Sequence, residues 1–544
     1  MRRVLRVLTG TLLGLVFGLV VLLGLLAFQA SVQEEYLHGW AELLSWSSLP
    51  LLLVPALLAW IAGRRAPARF WRSLGLLLGG VALGAAAGTL GGSLYAPHPS
   101  APWAGGLMGA AAAVLAGLVV VAVKALRVRK GGAALLLLGL TVTASCRPAP
   151  DPPPTEARTG PEPDPDSVAA VVFLLGDPGM AVMDRYPVLQ RMREEVERWS
   201  RAVGPDGDVA MVVLGDIIYP LGLHPRSHED YRWDSLRVAT QIGVLEGPAA
   251  DSTGARGFFL PGNHDWGRRE DFAGSQRLVG LDRFLESWSG EAAGRVDLHP
   301  EPGTGGPSVV DLGPHLRLVL LDTAWWLLGR EPGEKAAFLR GIEEALATAG
   351  ERRVIMAAHH PMRTAGPHGL GVDLGSFLGI RLLLKNAGII LQDLDSRVYA
   401  ELDTQLESIY REVGGPDVYA GGHDHSLQVF GPDEPGATRG VVVGSASKLS
   451  GLSDAPGLRF GRSEPGYGTI FILEDGSMRI RLEATHPRFL SCAEGEADAC
   501  VQEALDSFRT VWSEAVPRST RPEGAGEPPV HGSRVPEAGG DSVP

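Results

Sequence analysis

The stretch DVAMVVLGDIIY (Asp208–Tyr219) decides how the second half of the chain is read. A nearly unbroken apolar run passes straight into Gly-Asp, the pattern of a strand buried on both faces that delivers a polar loop at its end. The pattern recurs on either side. VAAVVFLLGD (Val168–Asp177) precedes it, and GFFLPGNHD (Gly257–Asp265), LRLVLLDT (Leu316–Thr323), RVIMAAHHP (Arg353–Pro361) and DVYAGGHDH (Asp417–His425) follow. Between these runs lie stretches with helical periodicity, VLQRMREEVERWSRAV (Val188–Val203) and EKAAFLRGIEEALATAG (Glu334–Gly350). In the second, Phe338, Leu339, Ile342 and Leu346 recur at helical spacing with charges between them. Strands separated by helices predict an α/β sheet protein.

What closes each run is more informative than the run itself. Gly176-Asp177-Pro178-Gly179, Gly215-Asp216 with Tyr219, Gly262-Asn263-His264-Asp265, His359-His360-Pro361 and Gly422-His423-Asp424-His425 each stand at a strand end. Loops at the C-terminal ends of strands are where α/β proteins place their chemistry. Singly, each block reads more readily as a turn, a hydrogen-bonded loop or a core histidine than as a functional site. All five in this order are hard to explain as turn chemistry. They offer carboxylate, amide, phenol and imidazole donors and no thiolate, a set suited to iron, zinc or manganese.

This ordered set resembles the calcineurin-like metallophosphoesterases, and within them the purple acid phosphatases of the small tartrate-resistant type. The common first block of that superfamily, Asp-x-His, is here Asp177-Pro178-Gly179, and the second ends in Tyr219 where most members have Asp. The lost histidine and the gained tyrosine occur together in that branch. The resemblance covers about residues 168–482. It implies a metallophosphoesterase-type β-sandwich flanked by helices (αββα). It further implies one metal held by Asp177, Asp216, Tyr219 and His425, and a second held by Asp216, Asn263, His359 and His423, with Asp216 bridging. His359 rather than His360 is the expected ligand, because the family pattern is His-x-Pro. Tyrosinate and carboxylates favour Fe(III); the amide and imidazoles suit a divalent ion, iron, zinc or manganese. The implied reaction is hydrolysis of a phosphomonoester by metal-activated hydroxide, with His264 as general acid and His368 as a second phosphate-contacting histidine. His368 reads equally well as an exposed loop residue. Trp266, Arg268 and Arg269 could form a lip, but an ordinary solvated cluster is the favoured reading. Two alternatives stay open: the same metal site acting on phosphodiesters or nucleotides, and a non-catalytic membrane receptor with a phosphatase-like domain.

The first 150 residues are a different polypeptide. They hold 12 Lys and Arg against 3 acids, a charge of +9, whereas residues 151–544 carry 37 basic and 59 acidic residues, or −22. Four apolar runs, at about 4–28, 43–62, 74–96 and 104–123, approach or exceed the roughly 20 residues needed to cross a bilayer. Basic residues precede the first, follow the second and follow the fourth, while the alternate loops have none, which predicts a cytoplasmic N-terminus. A shorter apolar stretch, 131–145, reads either as a fifth span or as a lipoprotein-type signal that would lipidate Cys146. Either way the rest of the chain is expected outside the cytoplasm, so the expectation is an integral membrane protein with an extracytoplasmic catalytic domain. An all-α transmembrane region of four or five helices (1–146) is thus followed by a Pro-rich linker (147–167) and the metallophosphatase domain (168–490). An extension (491–515) with a candidate Cys492–Cys500 disulfide and a disordered tail (516–544) complete the chain.

The expected partners are a phosphate ester and the lipid bilayer. The acidic exported part argues against nucleic acid, and 3 cysteines in 544 residues exclude a disulfide-dense scaffold and a Cys₄ zinc module. The apolar start of residues 375–410 reads as core helix, lid or membrane-facing surface, with core favoured.

Overall fold

The computed structural model describes residues 160–520 except 182–184, 205–207, 247–253, 268–272, 370–393, 395, 432–437 and 493–496. The expected membrane spans, Cys146, the tail beyond residue 520, Arg268, Arg269 and the apolar stretch before residue 394 lie outside the described residues. Among the described residues no helix is long and apolar enough to cross a membrane.

Two seven-stranded sheets form the fold. The first contains β1 (Val168–Leu175), β2 (Asp208–Val213), β3 (Arg256–Phe259) and β4 (Val296–Leu298), which run parallel. On the other side of β1, β12 (Gly466–Leu473), β13 (Met478–Ala484) and β14 (Arg509–Val516) continue the sheet antiparallel. The second has a matching parallel centre, β6 (Leu316–Leu320), β7 (Arg353–Ala357), β8 (Val418–Gly421) and β10 (Arg439–Val443). Antiparallel β5 (Ser308–Leu312) lies at one edge, and β9 (Leu427–Phe430) and β11 (Leu458–Arg462) lie at the other.

Side-chain parity explains why the central strands read as continuous apolar runs. On β1 the even residues Ala170, Val172 and Leu174 join Leu316, Leu318, Leu320, Ile355 and Val441 in the core between the sheets. The odd residues Val171, Phe173 and Leu175 pack instead with helix side chains. Strand side chains alternate between faces, so a strand with both faces covered has no polar position left. The layers are helix, sheet, sheet, helix. Helix α1 (Pro187–Val203) buries Val188, Met192, Val196 and Trp199, spaced at three and four residues along one face. Pro187 stands in its first turn, where a missing N–H costs nothing. Trp199 is fully buried and packs on Phe471 with ring centroids 4.8 Å apart.

Helix α2 (Tyr231–Ile242) follows the loop after β2, and α3 (Ala273–Glu286) follows β3. Short α4 (Thr323–Leu327), capped by the Asp322 carboxylate on the Trp325 amide, precedes α5 (Pro332–Ala347). Helix α6 (Arg397–Val413) buries Tyr399, Leu402, Leu406 and Ile409, so the later part of the ambiguous 375–410 segment is core.

Both ends of the folded body are tied in. Glu162, in the Pro-rich segment, pairs with Arg198 at 2.5 Å and also with Arg481. Helix α7 (Ala497–Ser507) follows Cys492, which is disulfide-bonded to Cys500. Strand β14 then adds the last strand of the first sheet, and residues beyond it reach the second. Arg353 on β7 donates to Val516 O at 2.8 Å and pairs with Asp417, whose carboxylate accepts from Ser519 N at 2.8 Å.

Trp199→Ala should cost about 3–5 kcal/mol of unfolding free energy through the cavity it leaves between α1 and the first sheet. Urea denaturation should show a lower midpoint with an unchanged slope. A midpoint equal to that of the parent protein would show that this layer contributes little.

Candidate metal centre

The five polar loops follow β1, β2, β3, β7 and β8, the C-terminal ends of parallel strands in both sheets. Because the sheets face each other, these ends meet, and side chains as distant in sequence as Asp177 and His425 become neighbours. Three ligand candidates, Asp177 (φ 58°), Asp216 (φ 52°) and His423 (φ 67°), are the non-glycine residues with positive φ among the described residues. Each such conformation costs on the order of 1–3 kcal/mol and persists only when its surroundings enforce it. Glycine before the ligand has a related cause. A Cβ on Gly262 would lie 2.2 Å from Asp216 Oδ1, and one on Gly215 2.6 Å from His359 Nδ1.

Two groupings share this space. In one, Tyr219 Oη donates to Asp177 Oδ1 at 2.9 Å and lies 3.2 Å from His425 Nε2, which is 3.5 Å from the same carboxylate oxygen. In the other, His359 Nε2 lies 2.9 Å from Asn263 Oδ1, 3.2 Å from His423 Nδ1 and 3.4 Å from Asp216 Oδ1. His359 Nδ1 is 2.8 Å from the Leu214 carbonyl oxygen, so Nδ1 carries a proton and Nε2 is the nitrogen turned toward the site. That nitrogen faces the Asn263 carbonyl oxygen and a carboxylate. Buried acceptors gathered with too few protons among them are a cation site, and a histidine oriented through its other nitrogen is characteristic of a ligand. Donors from Asp177, Asp216 and His359 lie within 4.8 Å of one another, as do those from His359, His360 and His423. The residues therefore fit bound metal.

Burial pushes the Asp177 carboxyl up to about 7, with the charge of Asp216 adding to the rise and His359 opposing it. Burial acts the same way on Asp216. There the charges of His359 and His264, with a backbone hydrogen bond from His264, outweigh it and hold the carboxyl below the usual range. Burial, then the neighbouring imidazoles, keeps His423 well below the usual range. Burial and the charge of Lys448 push His425 down to about 3. Neutral imidazoles are the metal-ready form.

His264 lies at the rim. Its amide donates to Asp216 Oδ1 at 3.1 Å, its Nδ1 is 2.9 Å from Pro220 O, and its Nε2 is 3.9 Å from Asp216 Oδ2. With Nδ1–H held on a carbonyl, Nε2 is the atom through which a proton would pass to substrate. His368 packs its ring 4.1 Å from that of His423, and its amide lies 3.4 Å from Asp424 Oδ1. His360 is turned another way. Its Nδ1 is 2.9 Å from Thr323 Oγ1, and its buried Nε2 has no hydrogen-bond partner.

Residues not singled out from sequence shape the site. Asp265 is fully buried and accepts from the amides of Ile217, Ile218 and Gly262 at 2.8–3.1 Å, stapling the β2 and β3 loops together. Burial first, and Asp216 second, push its carboxyl up to about 8. It stands beside Asn263 and His264 in sequence, but nothing there distinguishes a staple from a ligand. Lys448 places Nζ 3.4 Å from the centroid of the Tyr219 ring, and no sequence signal marked it. Trp266 is buried and donates through Nε1 to Asp322 Oδ2 at 2.9 Å, so it forms part of the support beneath the site and no exposed lip.

No protein-family model matches the chain, and no curated protein does. Among solved structures, the chain is similar to GAP50, the anchor in the inner membrane complex of Plasmodium. The TM-score is 0.40 and the identity 12%, over 65% of this chain and 90% of that one. It is also similar to the purple acid phosphatase PPD1 from yellow lupin (Lupinus luteus) seeds. There the TM-score is 0.41 and the identity 16%, over 66% of this chain and 55% of that one. Likeness this distant says nothing of activity, which has to be read from the side chains.

The electrostatics have a thermodynamic consequence for metal-free protein. A carboxyl whose folded value is raised contributes stability that is present at low pH and lost as pH climbs through that value. An imidazole with a lowered value does the opposite, and its contribution is complete once the unfolded imidazole has titrated near pH 6.5. Asp177 and Asp322, each at about 7, and Asp265, at about 8, are of the first kind. Between roughly pH 6.5 and 8 only their loss remains, so the melting temperature of chelated protein should fall across that window. Asp265→Asn should reduce the fall. A melting temperature that rises over the same interval would show that these carboxyls are ionised in the fold.

Proposed function

We propose that the chain is a membrane-anchored, extracytoplasmic phosphoric ester hydrolase with a two-metal site, acting on phosphomonoesters. The observation that carries this reading is the convergence of seven candidate ligands from five strand ends around two buried carboxylates. Asp177, Asp216, Tyr219 and His425 form a hard, anionic set that would hold Fe(III). Asp216, Asn263, His359 and His423 would hold a divalent ion, iron, zinc or manganese. When bound, such a pair supplies Lewis acidity to a phosphoryl group and acidifies water.

The chain's own residues do the rest. His264 donates the proton that the leaving alkoxide needs as the P–O bond breaks. Since its Nδ1–H is held by Pro220 O, it gives that proton from Nε2 and starts as imidazolium, next to the Asp216 carboxylate that favours this form. His368, held against His423, supplies a second imidazole at the phosphate side. The Asp265 staple keeps the β2 and β3 loops, and hence Asp216 and Asn263, in register. The Leu214 carbonyl fixes which nitrogen His359 presents.

Location rests on the charge pattern and apolar runs of residues 1–146. The Cys492–Cys500 disulfide agrees with it, since such bonds persist in oxidising compartments.

The test uses full-length protein in detergent, loaded with iron, and compares a phosphomonoester with a bis-ester. Hydrolysis of the monoester and a visible charge-transfer band that disappears in Tyr219→Phe are expected. His264→Ala should lower kcat by about 10²–10⁴ for a poor leaving group and far less for a good one. Faster turnover of the bis-ester would reassign the substrate class. Colourless protein inert toward both esters would overturn the reading.

A further inference from the structure

Strand β10 ends at Val443, and the chain continues as Gly444-Ser445-Ala446-Ser447-Lys448-Leu449-Ser450, a loop outside the ligand set. It is stitched to two ligand loops. Ala446 N donates to Gly176 O at 3.3 Å and Ser447 Oγ to the backbone oxygen of Asp177 at 2.5 Å, while Ser447 Oγ accepts from Met180 N at 3.2 Å. On the other side, Gly444 N donates to Ser426 O at 3.1 Å and Ser450 N to His425 O at 2.8 Å. Lys448 lies within this stitched segment, so its backbone is positioned by the same loops that carry Asp177 and His425.

Its side chain runs to the Tyr219 ring, with Nζ 3.4 Å from the centroid. That ring is fully buried, its hydroxyl is engaged by Asp177 and His425, and the edge-on ring of His264 lies 4.8 Å away. A cation over an aromatic face is attracted by the ring quadrupole. A phenolate adds net negative charge delocalised into the same ring, and in a buried site that attraction is weakly screened.

We propose that Lys448 is a positioning residue that acts through Tyr219. Its ammonium stabilises the charge of the metal-bound phenolate and so weakens the ring as an electron donor to the ion at the Asp177–Tyr219–His425 position. The inference rests on the ferric reading given above and adds a residue outside the ligand set. Its physical signature is spectroscopic. Stabilising the filled ring orbitals widens the gap across which charge transfer to Fe(III) occurs, because the cation is centred on the ring. The band should therefore lie at shorter wavelength with Lys448 than without it.

The experiment compares the visible spectra of iron-loaded full-length protein, Lys448→Met and Lys448→Arg, with iron content and circular dichroism measured alongside. Lys448→Met should shift the band to longer wavelength with iron retained, and Lys448→Arg should return it most of the way. Should Lys448→Met not fold, Lys448→Gln, which keeps a polar chain of similar reach, is read in the same way. A Met or Gln variant whose band coincides with that of the parent, whatever happens to KM, would overturn the role. Colourless parent protein that has taken up iron would overturn the ferric reading and this inference together. A coloured parent with an unshifted variant overturns only the latter.

Discussion

Two carboxylates, Asp177 and Asp216, are buried side by side at the ends of neighbouring parallel strands, and most of the site is arranged around that electrostatic problem. Like charges out of water cannot both ionise without compensation. The fold separates their behaviour, pushing Asp177 up and holding Asp216 down. It surrounds them with imidazoles, a phenol and an amide, and few protons. A bound cation would relieve it, and the left-handed backbone at Asp177, Asp216 and His423 shows that the chain accepts strain to aim these groups inward.

That strain is sustained by what lies behind the loops. The β2 and β3 loops are joined through Asp265, the β7 and β8 ends through Gly422 N on His359 O, and the β1 and β10 loops through Ser447. Each joint uses a backbone group as donor or acceptor, so the ligands inherit the rigidity of strands whose both faces are packed. The C-terminal strand contributes at a distance. By pairing with β13 and then reaching Arg353 and Asp417, residues 509–519 connect the two sheets whose meeting ends build the site.

The strands bearing ligands were legible because burial on both faces forbids polar positions, and a helix such as Val188–Val203 was legible from its stripe. The strands β9 to β14 were harder to read. β11 has only one fully buried residue, Phe460, and β13 interleaves Arg479, Arg481 and Glu483 with its core residues, so neither presents an unbroken apolar run. The candidate ligands stood out by residue type at strand ends. Asp265, Lys448 and the buried Nε2 of His360 did not, since an aspartate, a lysine and a histidine have the same letters whether they ligate, staple, tune or sit in solvent. The four apolar runs near the N-terminus lie outside the described residues, so their reading still rests on length, hydropathy and charge.

By itself the sequence determined which segments are strands buried on both faces, that five of them end in oxygen and imidazole donors, and that the first 150 residues differ in kind from the rest. These properties follow from local composition and spacing, which short-range sterics and the hydrophobic effect read directly. Only the tertiary structure decided which nitrogen of His359 faces the site, which carboxylate is raised and which lowered, that Trp266 is a buried support, and that a lysine stands over Tyr219. Those properties depend on distances between residues tens to hundreds of positions apart, which arise only when the ends of two sheets are brought together.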